Sequence, residues 1–266
     1  QAGQNEAQNE AKVAHDCPAS PRDYSRALEE RLVEPHFQPI VTIADGEVMA
    51  YEVLSRITQE DGEIIPASRF IEVAEQEGLI HRLDYIVMDK AFAKADREGY
   101  GGLLFINLSP KALILGEFFG VVKGLLEVNS LRVDQIVFEL TERETVKNIS
   151  LLEGFVKRLH LEGYKFAIDD FGSGFSSFHY LKRFPIDYIK IEGEFVSNML
   201  QDERDMALVY SAAELAGRLG IRTIAEYVED GHIADAIKEA GIDYGQGYHY
   251  GRPGADLAPV ESGASV

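Results

Sequence analysis

Asp169 and Asp170 stand side by side at the end of an apolar run, Phe166–Ala167–Ile168, and the glycine-rich stretch FGSGFSS follows them. Two carboxylates about 4 Å apart repel by roughly 4 kcal/mol at an effective dielectric near 20, so a buried strand that ends this way needs something to offset the charge. The pattern recurs. Glu52, Asn107, Glu139, Lys190, Glu226 and Gln246 each stand at or near the end of a short apolar run. Any one of them alone reads equally well as a solvated strand end. Seven such ends in one chain argue for convergence on a common site.

The chemistry of that set is oxygen-rich: five carboxylates, two amides and a single lysine. Brought together, the carboxylates repel unless they are protonated or a cation sits among them. No cysteine or histidine stands at these ends apart from His249, three residues past Gln246. Hard oxygen ligands suit Mg²⁺ or Mn²⁺ rather than zinc. Adjacent Asp169 and Asp170 can each serve one of two ions. A two-ion site activates water and stabilises a leaving oxygen in phosphoryl chemistry. The plainer alternative is a single structural cation.

Such a set has to be positioned by strands. The candidates are FQPIV, VMAYEVL, GLLFINL, QIVFEL, KFAIDD, DYIKI, RTIAEY and GQGYHY, mostly separated by amphipathic stretches. In NISLLEGFVKRLHLEG, residues Ile149, Leu152, Phe155, Val156 and Leu159 have helical spacing, and Gly163 supplies a stop. MALVYSAAELAGRLG repeats the pattern up to Gly220. Regular alternation of this length predicts an α/β fold of the (β/α)8 TIM-barrel type, with the polar strand ends on one face. The link TIADGE is too short for a parallel crossover, so the first strand is expected to run antiparallel to the second.

Bulk composition narrows the partners. The chain has 266 residues, 45% hydrophobic, and a formal net charge of -19 from 45 acids and 26 bases. That surface disfavours a nucleic-acid polymer but leaves room for a small anion in a locally positive pocket. The single cysteine, Cys17, excludes an internal disulfide, which fits a reducing compartment. No apolar run reaches the roughly 18 residues of a membrane span. Residues 1–21 are polar and near-repetitive and read as a linker. The domain is expected over 22–254, and 255–266 as a flexible tail.

YEVLSR, FINLSP, FELTE, AIDDFGSGFSS, YIKIEG, IAEYVE and GQGYHYGRP occur in the order and spacing of the EAL domains. Over about 230 residues the chain resembles the cyclic-di-GMP phosphodiesterases of that bacterial family. The resemblance implies hydrolysis of one phosphodiester of cyclic di-GMP to linear 5'-pGpG, with two ions of Mg²⁺ or Mn²⁺ and with Ca²⁺ binding but inhibitory. It implies metal ligation by Glu52, Asn107, Glu139, Asp169, Asp170 and Glu226. Lys190 is similar to a lysine that holds the attacking water or the phosphate, Gln246 to a positioning amide, and Glu142 to an anchor of the loop after the paired aspartates. Gln38, Leu54, Arg56, Asp170 and Pro253 are the expected substrate contacts. Arg56 is also sensible physically, as a bidentate phosphate clamp.

The resemblance further implies a homodimer, a cytoplasmic domain, and a parent protein, membrane-associated or not, with an upstream sensor or diguanylate-cyclase-type domain. Members that have become receptors bind the nucleotide without cutting it, but they usually lack several ligands, and here the set is complete. Three positions depart from the family pattern: Val53, Glu192 and Tyr227. If Glu192 helps to hold Lys190, its extra methylene should affect rate, and Tyr227 should crowd or contact the site. DFG at Asp170–Gly172 lacks every companion motif of a protein kinase. An enolase-type barrel would not explain NLSP, ELTE and DDFGSG together. His36 and His179 read as packing or surface residues. Phe175, Phe178 and Tyr180 read equally as core or as a dimer contact.

Overall fold

The computed structural model describes residues 32–58, 64–66, 70–71, 74, 77–110, 116–173 and 179–257. The expected linker 1–21, residues 174–178 with Phe175 and Phe178, and residues 258–266 lie outside the described residues.

Nine strands are described: β1 (Val33–Thr42), β2 (Val48–Thr58), β3 (Ile64–Pro66), β4 (Leu103–Asn107), β5 (Ile136–Thr141), β6 (Lys165–Phe171), β7 (Tyr188–Ile191), β8 (Arg222–Ala225) and β9 (Tyr244–Gln246). The helices described are α1 (Ile80–Glu98), α2 (Phe118–Val128), α3 (Glu142–Lys147), α4 (Ile149–Leu161), α5 (His179–Arg183), α6 (Gly193–Asn198), α7 (Glu203–Leu219) and α8 (Gly231–Glu239). Pairing runs β1-β9-β8-β7-β6-β5-β4-β2, and a β1–β2 pairing closes the ring. β1 is antiparallel to both β2 and β9, whereas the other neighbours around the ring are parallel. The fold is therefore an eight-stranded barrel of the TIM type with a reversed first strand.

The two faces of each strand follow from the period of two. Outward residues join the helices in one large core that includes Phe37, Tyr51, Phe138, Phe166 and Ile189. Inward residues form a separate small cluster of Ile40, Ala50, Leu103, Phe105, Val137, Ala167, Tyr188 and Ile224. The helix signals hold: α4 ends before Gly163 at φ 94°, and α7 ends at Gly220 at φ 72°, both in the left-handed region that glycine enters without strain.

Four details differ from the expectations. β3 adds an antiparallel strand on β2, a three-residue segment too short to show periodicity. β2 does not stop near Glu52; it continues to Thr58 because β1 and β3 pair with it beyond the barrel. GQGYHY is not one strand. β9 ends at Gln246, where the chain turns and crosses the loop after β8: Val228 N–H donates to Gln246 O and His249 N–H to Val228 O, both at 3.0 Å. Gly247 permits that crossing, since a Cβ there would collide with the Val228 backbone. The fold also reaches past residue 254: Leu257 is buried, its N–H donates to Glu98 Oε2, and Asp256 pairs with Lys94 on α1.

Candidate metal and phosphate site

One step along the barrel axis turns the apolar lumen into the site. On the parallel strands, each polar residue stands two positions beyond a lumen residue. Glu52 follows Ala50, Asn107 follows Phe105, Glu139 follows Val137, Asp169 follows Ala167, Lys190 follows Tyr188 and Glu226 follows Ile224. Gln246 stands likewise after Tyr244, which packs on that cluster. β1 runs the other way, so Gln38 stands two positions before Ile40 and pairs in register with Glu52.

Adjacent residues on a strand should point to opposite faces, yet Asp169 and Asp170 serve one site. The β6–β7 register shifts between Ile168 and Phe171, and Asp170 takes φ 53°. This irregularity re-aims Asp170, as a bulge does beside many active sites. Carboxylate oxygens of Asp169, Asp170 and Glu226 then lie within 4.8 Å of one another.

Lys190 is fully buried at the centre. Its Nζ lies 3.0 Å from Glu226, 3.1 Å from Asp169, 3.2 Å from Glu52 and 3.5 Å from Glu139. Burial opposes its charge, but the four carboxylates more than compensate and hold the ammonium well above the usual lysine range. Burial also works against the charge of Glu52, yet Lys190 and amide hydrogen bonds from Gln246 and Asn107 bring its carboxyl below the ordinary value.

Glu139 and Glu226 go the other way. Burial, partly offset by Lys190, raises both well above the carboxylate range. Among the described residues, neither oxygen of Glu139 has a hydrogen-bond partner although both are buried, and the nearest charge is the Lys190 ammonium at 3.5 Å. Asp170 is raised to about 6, first by burial and then by Asp169. One lysine thus faces four carboxylates with a fifth, Asp170, close by, and among the described residues the fully enclosed Glu139 has no hydrogen-bond donor. Those observations fit divalent cations. Glu52, Asn107, Glu139, Asp169, Asp170 and Glu226 are the groups that can hold them.

The other expected residues fall around the same space. A cavity of about 450 Å³ is lined by Gln38, Glu52, Leu54, Arg56, Asp169, Asp170, Glu226, Gln246 and Pro253. Gln246 Nε2 also donates to Gln38 Oε1, and Gln38 Nε2 to Gly251 O, both at 3.3 Å. Glu229, Tyr248 and Tyr227 line the cavity too. Glu229 and Tyr248 lie in the irregular segments after β8 and β9, where no strand periodicity marks them.

Glu142 opens α3 and is fully buried. It accepts from Gly172 N–H and from Tyr180 O–H, each at 2.9 Å. Its carboxylate therefore grips the chain on both sides of residues 173–179. Tyr180 is itself fully buried, so the structure places it in the core and not on an exposed contact.

Glu192 does not act as first expected, whereas Tyr227 does reach the site, on the wall of its cavity. Glu192 is not among the four acids around Lys190, because β7 ends at Ile191 and Glu192 caps α6. It instead faces a neighbouring cavity with Asp170, Ser173 and Arg143, and its carboxyl is raised by burial. Tyr227 is 60% exposed at φ 52°, a backbone region that costs a bulky residue about 1–3 kcal/mol. Its ring covers Gly193, where a Cβ would come within 2.5 Å of it.

A closed barrel with an oxygen-lined, lysine-centred mouth defines an α/β barrel with a candidate divalent-cation site. The family match is specific: residues 22–253 match the EAL domain, and the chain belongs to that family. It is 34% identical over 233 residues to cyclic di-GMP phosphodiesterase PdeB of Shewanella oneidensis, covering 86% of this chain and 27% of that protein. It is likewise 34% identical to cyclic di-GMP phosphodiesterase PdeF of Escherichia coli K12, covering 85% of this chain and 31% of that protein. The chain thus spans under a third of the length of these relatives. Among solved structures, the PaMucR phosphodiesterase in complex with c-di-GMP superposes with a TM-score of 0.82 at 29% identity, over 87% of this chain and 96% of that one.

Proposed function

We propose that this domain hydrolyses one phosphodiester bond of cyclic di-GMP to give linear 5'-pGpG. The observation that carries this reading is the complete polar layer at the barrel mouth, a buried ammonium ringed by four carboxylates with Asp170 and two amides in the same layer, beside a cavity that also holds Arg56. The phosphodiesterase relatives and the c-di-GMP complex support it.

In this reading Glu52, Asn107, Glu139, Asp169, Asp170 and Glu226 hold two Mg²⁺ or Mn²⁺ ions. Bound there, such ions generate a nucleophilic water and neutralise charge on the phosphate. Arg56 clamps the non-bridging phosphate oxygens. Lys190 stays protonated, so it serves as a fixed donor to the water or the phosphate and not as a base. The water oxygen bonds to phosphorus as its proton passes to solvent, the P–O3' bond breaks, and the 3' oxygen takes a proton from solvent and leaves as a hydroxyl. Glu142 acts through the loop it grips.

The reading extends to the longer protein. It sets the domain on the cytoplasmic side of a signalling protein with an upstream sensor or cyclase-type domain, and as a homodimer. Among the described residues no helix is long and apolar enough to cross a membrane.

Incubation with cyclic di-GMP and Mg²⁺, followed by chromatography, tests the proposal. The expected product is pGpG, lost on chelation. Tight binding without cleavage would replace the enzyme with a receptor.

A further inference from the structure

Tyr227 follows a proposed metal ligand directly and holds a left-handed backbone conformation that aromatic residues avoid. Its ring is not tucked into the core. One side is seated over Gly193, whose missing side chain makes room for it, and the residue stays largely exposed on the wall of the cavity, beside Asp169, Asp170 and Glu226. A flat apolar surface is thus fixed next to the place where a phosphate is expected. Tyr248, another exposed ring on that cavity, differs: the Arg252 guanidinium lies 3.9 Å from its ring centroid, over one face.

We propose that Tyr227 is a stacking platform for one purine of the nucleotide substrate, and so determines specificity for base-bearing phosphodiesters. The inference rests on the hydrolysis reading above and adds a binding contact to it. A nucleobase hangs one sugar away from its phosphate, so a platform adjoining the phosphate-handling carboxylates meets the base of the reacting nucleotide. Stacking needs only a planar face, which survives the wet, acidic surroundings in which hydrogen bonds to a base edge would compete with water. The backing by Gly193 presets the ring and limits the freedom lost when a base lands on it.

The test is Michaelis kinetics on cyclic di-GMP with Tyr227→Leu, Tyr227→Phe and Tyr227→Gly, alongside thermal melting of the ligand-free proteins. Tyr227→Leu should raise KM about 5- to 150-fold, the range for losing one base–aromatic stack, with the larger part of the loss in KM and not in kcat. Tyr227→Phe keeps the ring and should stay within about threefold of wild type. Tyr227→Gly should raise KM while leaving Tm unchanged or higher, since glycine relieves the positive φ. A merely structural tyrosine would show Tm falling with affinity. An unmoved KM in Tyr227→Leu would overturn the platform, as would equal losses in Leu and Phe, which would point to the hydroxyl. If wild type yields no pGpG, the hydrolysis reading fails separately. The Leu/Phe contrast is then read from calorimetric Kd values for cyclic di-GMP, and absence of binding by wild type would overturn both.

Discussion

Two layers of the barrel lumen lie two residues apart on the same strands and obey opposite rules. The lower layer, with Ala50, Phe105, Val137, Ala167, Tyr188 and Ile224, is dry and apolar. The upper layer, with Glu52, Asn107, Glu139, Asp169, Lys190 and Glu226, packs charge against charge. Burial stabilises the lower layer and strains the upper one, where four carboxylates share one ammonium and resist desolvation. The comparison teaches that stability and chemistry are separated along the barrel axis rather than between domains.

The sharpest way to break the comparison is to remove a charge from the upper layer. Asp169→Ala or Glu52→Ala should cut turnover by about 10²–10³-fold or more, the scale of losing one preorganised electrostatic group. Metal-free stability should hold or rise, because repulsion is relieved. A steep fall in the metal-free melting temperature would show that these acids hold the fold.

The complementary change is Phe105→Ala in the lower layer. Phe105 is fully buried and packs edge-on against Tyr188 at 5.2 Å. Denaturant titration should show a loss of about 3–5 kcal/mol, while kcat per folded molecule changes far less than in the acid variants. A kcat loss matching theirs would erase the separation.

Glu142→Ala comes next. It leaves Gly172 N–H and Tyr180 O–H without their shared acceptor. Activity at limiting Mg²⁺ should fall about 10- to 100-fold, as for residues that orient metal ligands, with partial recovery at saturating metal. Unchanged kinetics at limiting Mg²⁺ would remove the loop from the mechanism.

The smallest effect is on pH. Glu139 and Glu226 have folded values above their unfolded ones, so the folded state binds more protons between the two. Stability of the metal-free protein from these groups is fully present below the unfolded glutamate value and is lost as pH rises through the raised values. Glu52 is lowered, so its contribution has the opposite sign and is lost as pH falls. Chemical melts of chelated protein should therefore weaken from mildly acidic to neutral pH. Added Mg²⁺ should reverse the trend, and a pH-independent melt would mean the acids are already compensated.

Much of this site was readable as sequence because strands write it with a period of two: an inward apolar residue, an outward one, then the polar group. The reversed first strand followed from the six-residue TIADGE link. Asp170 was readable as a site residue but not as a strained one, since a bulge depends on the neighbouring strand, and β7 lies about 20 residues away. Glu192 misled for the same reason. Counting by two from Lys190 kept it on the strand, whereas β7 ends and a helix begins at that point. Glu229 and Tyr248 were invisible because they reach the cavity from irregular segments beyond the strands.

The reversed first strand also bears on how the chain is made. β1 is the first barrel strand to be synthesised, yet its second barrel neighbour, β9, comes about 200 residues later and offers only three paired positions, Ile40–Gln246 to Thr42–Tyr244. Until the ribosome has released that last strand, the sheet is an open ribbon with β1 as a bare edge, the kind of edge that recruits other chains. The Gln246 contact to Glu52 forms only when the ribbon closes. An incomplete nascent chain therefore lacks the finished site as well as the finished barrel, and truncation before Tyr244 should give aggregation rather than a weaker enzyme.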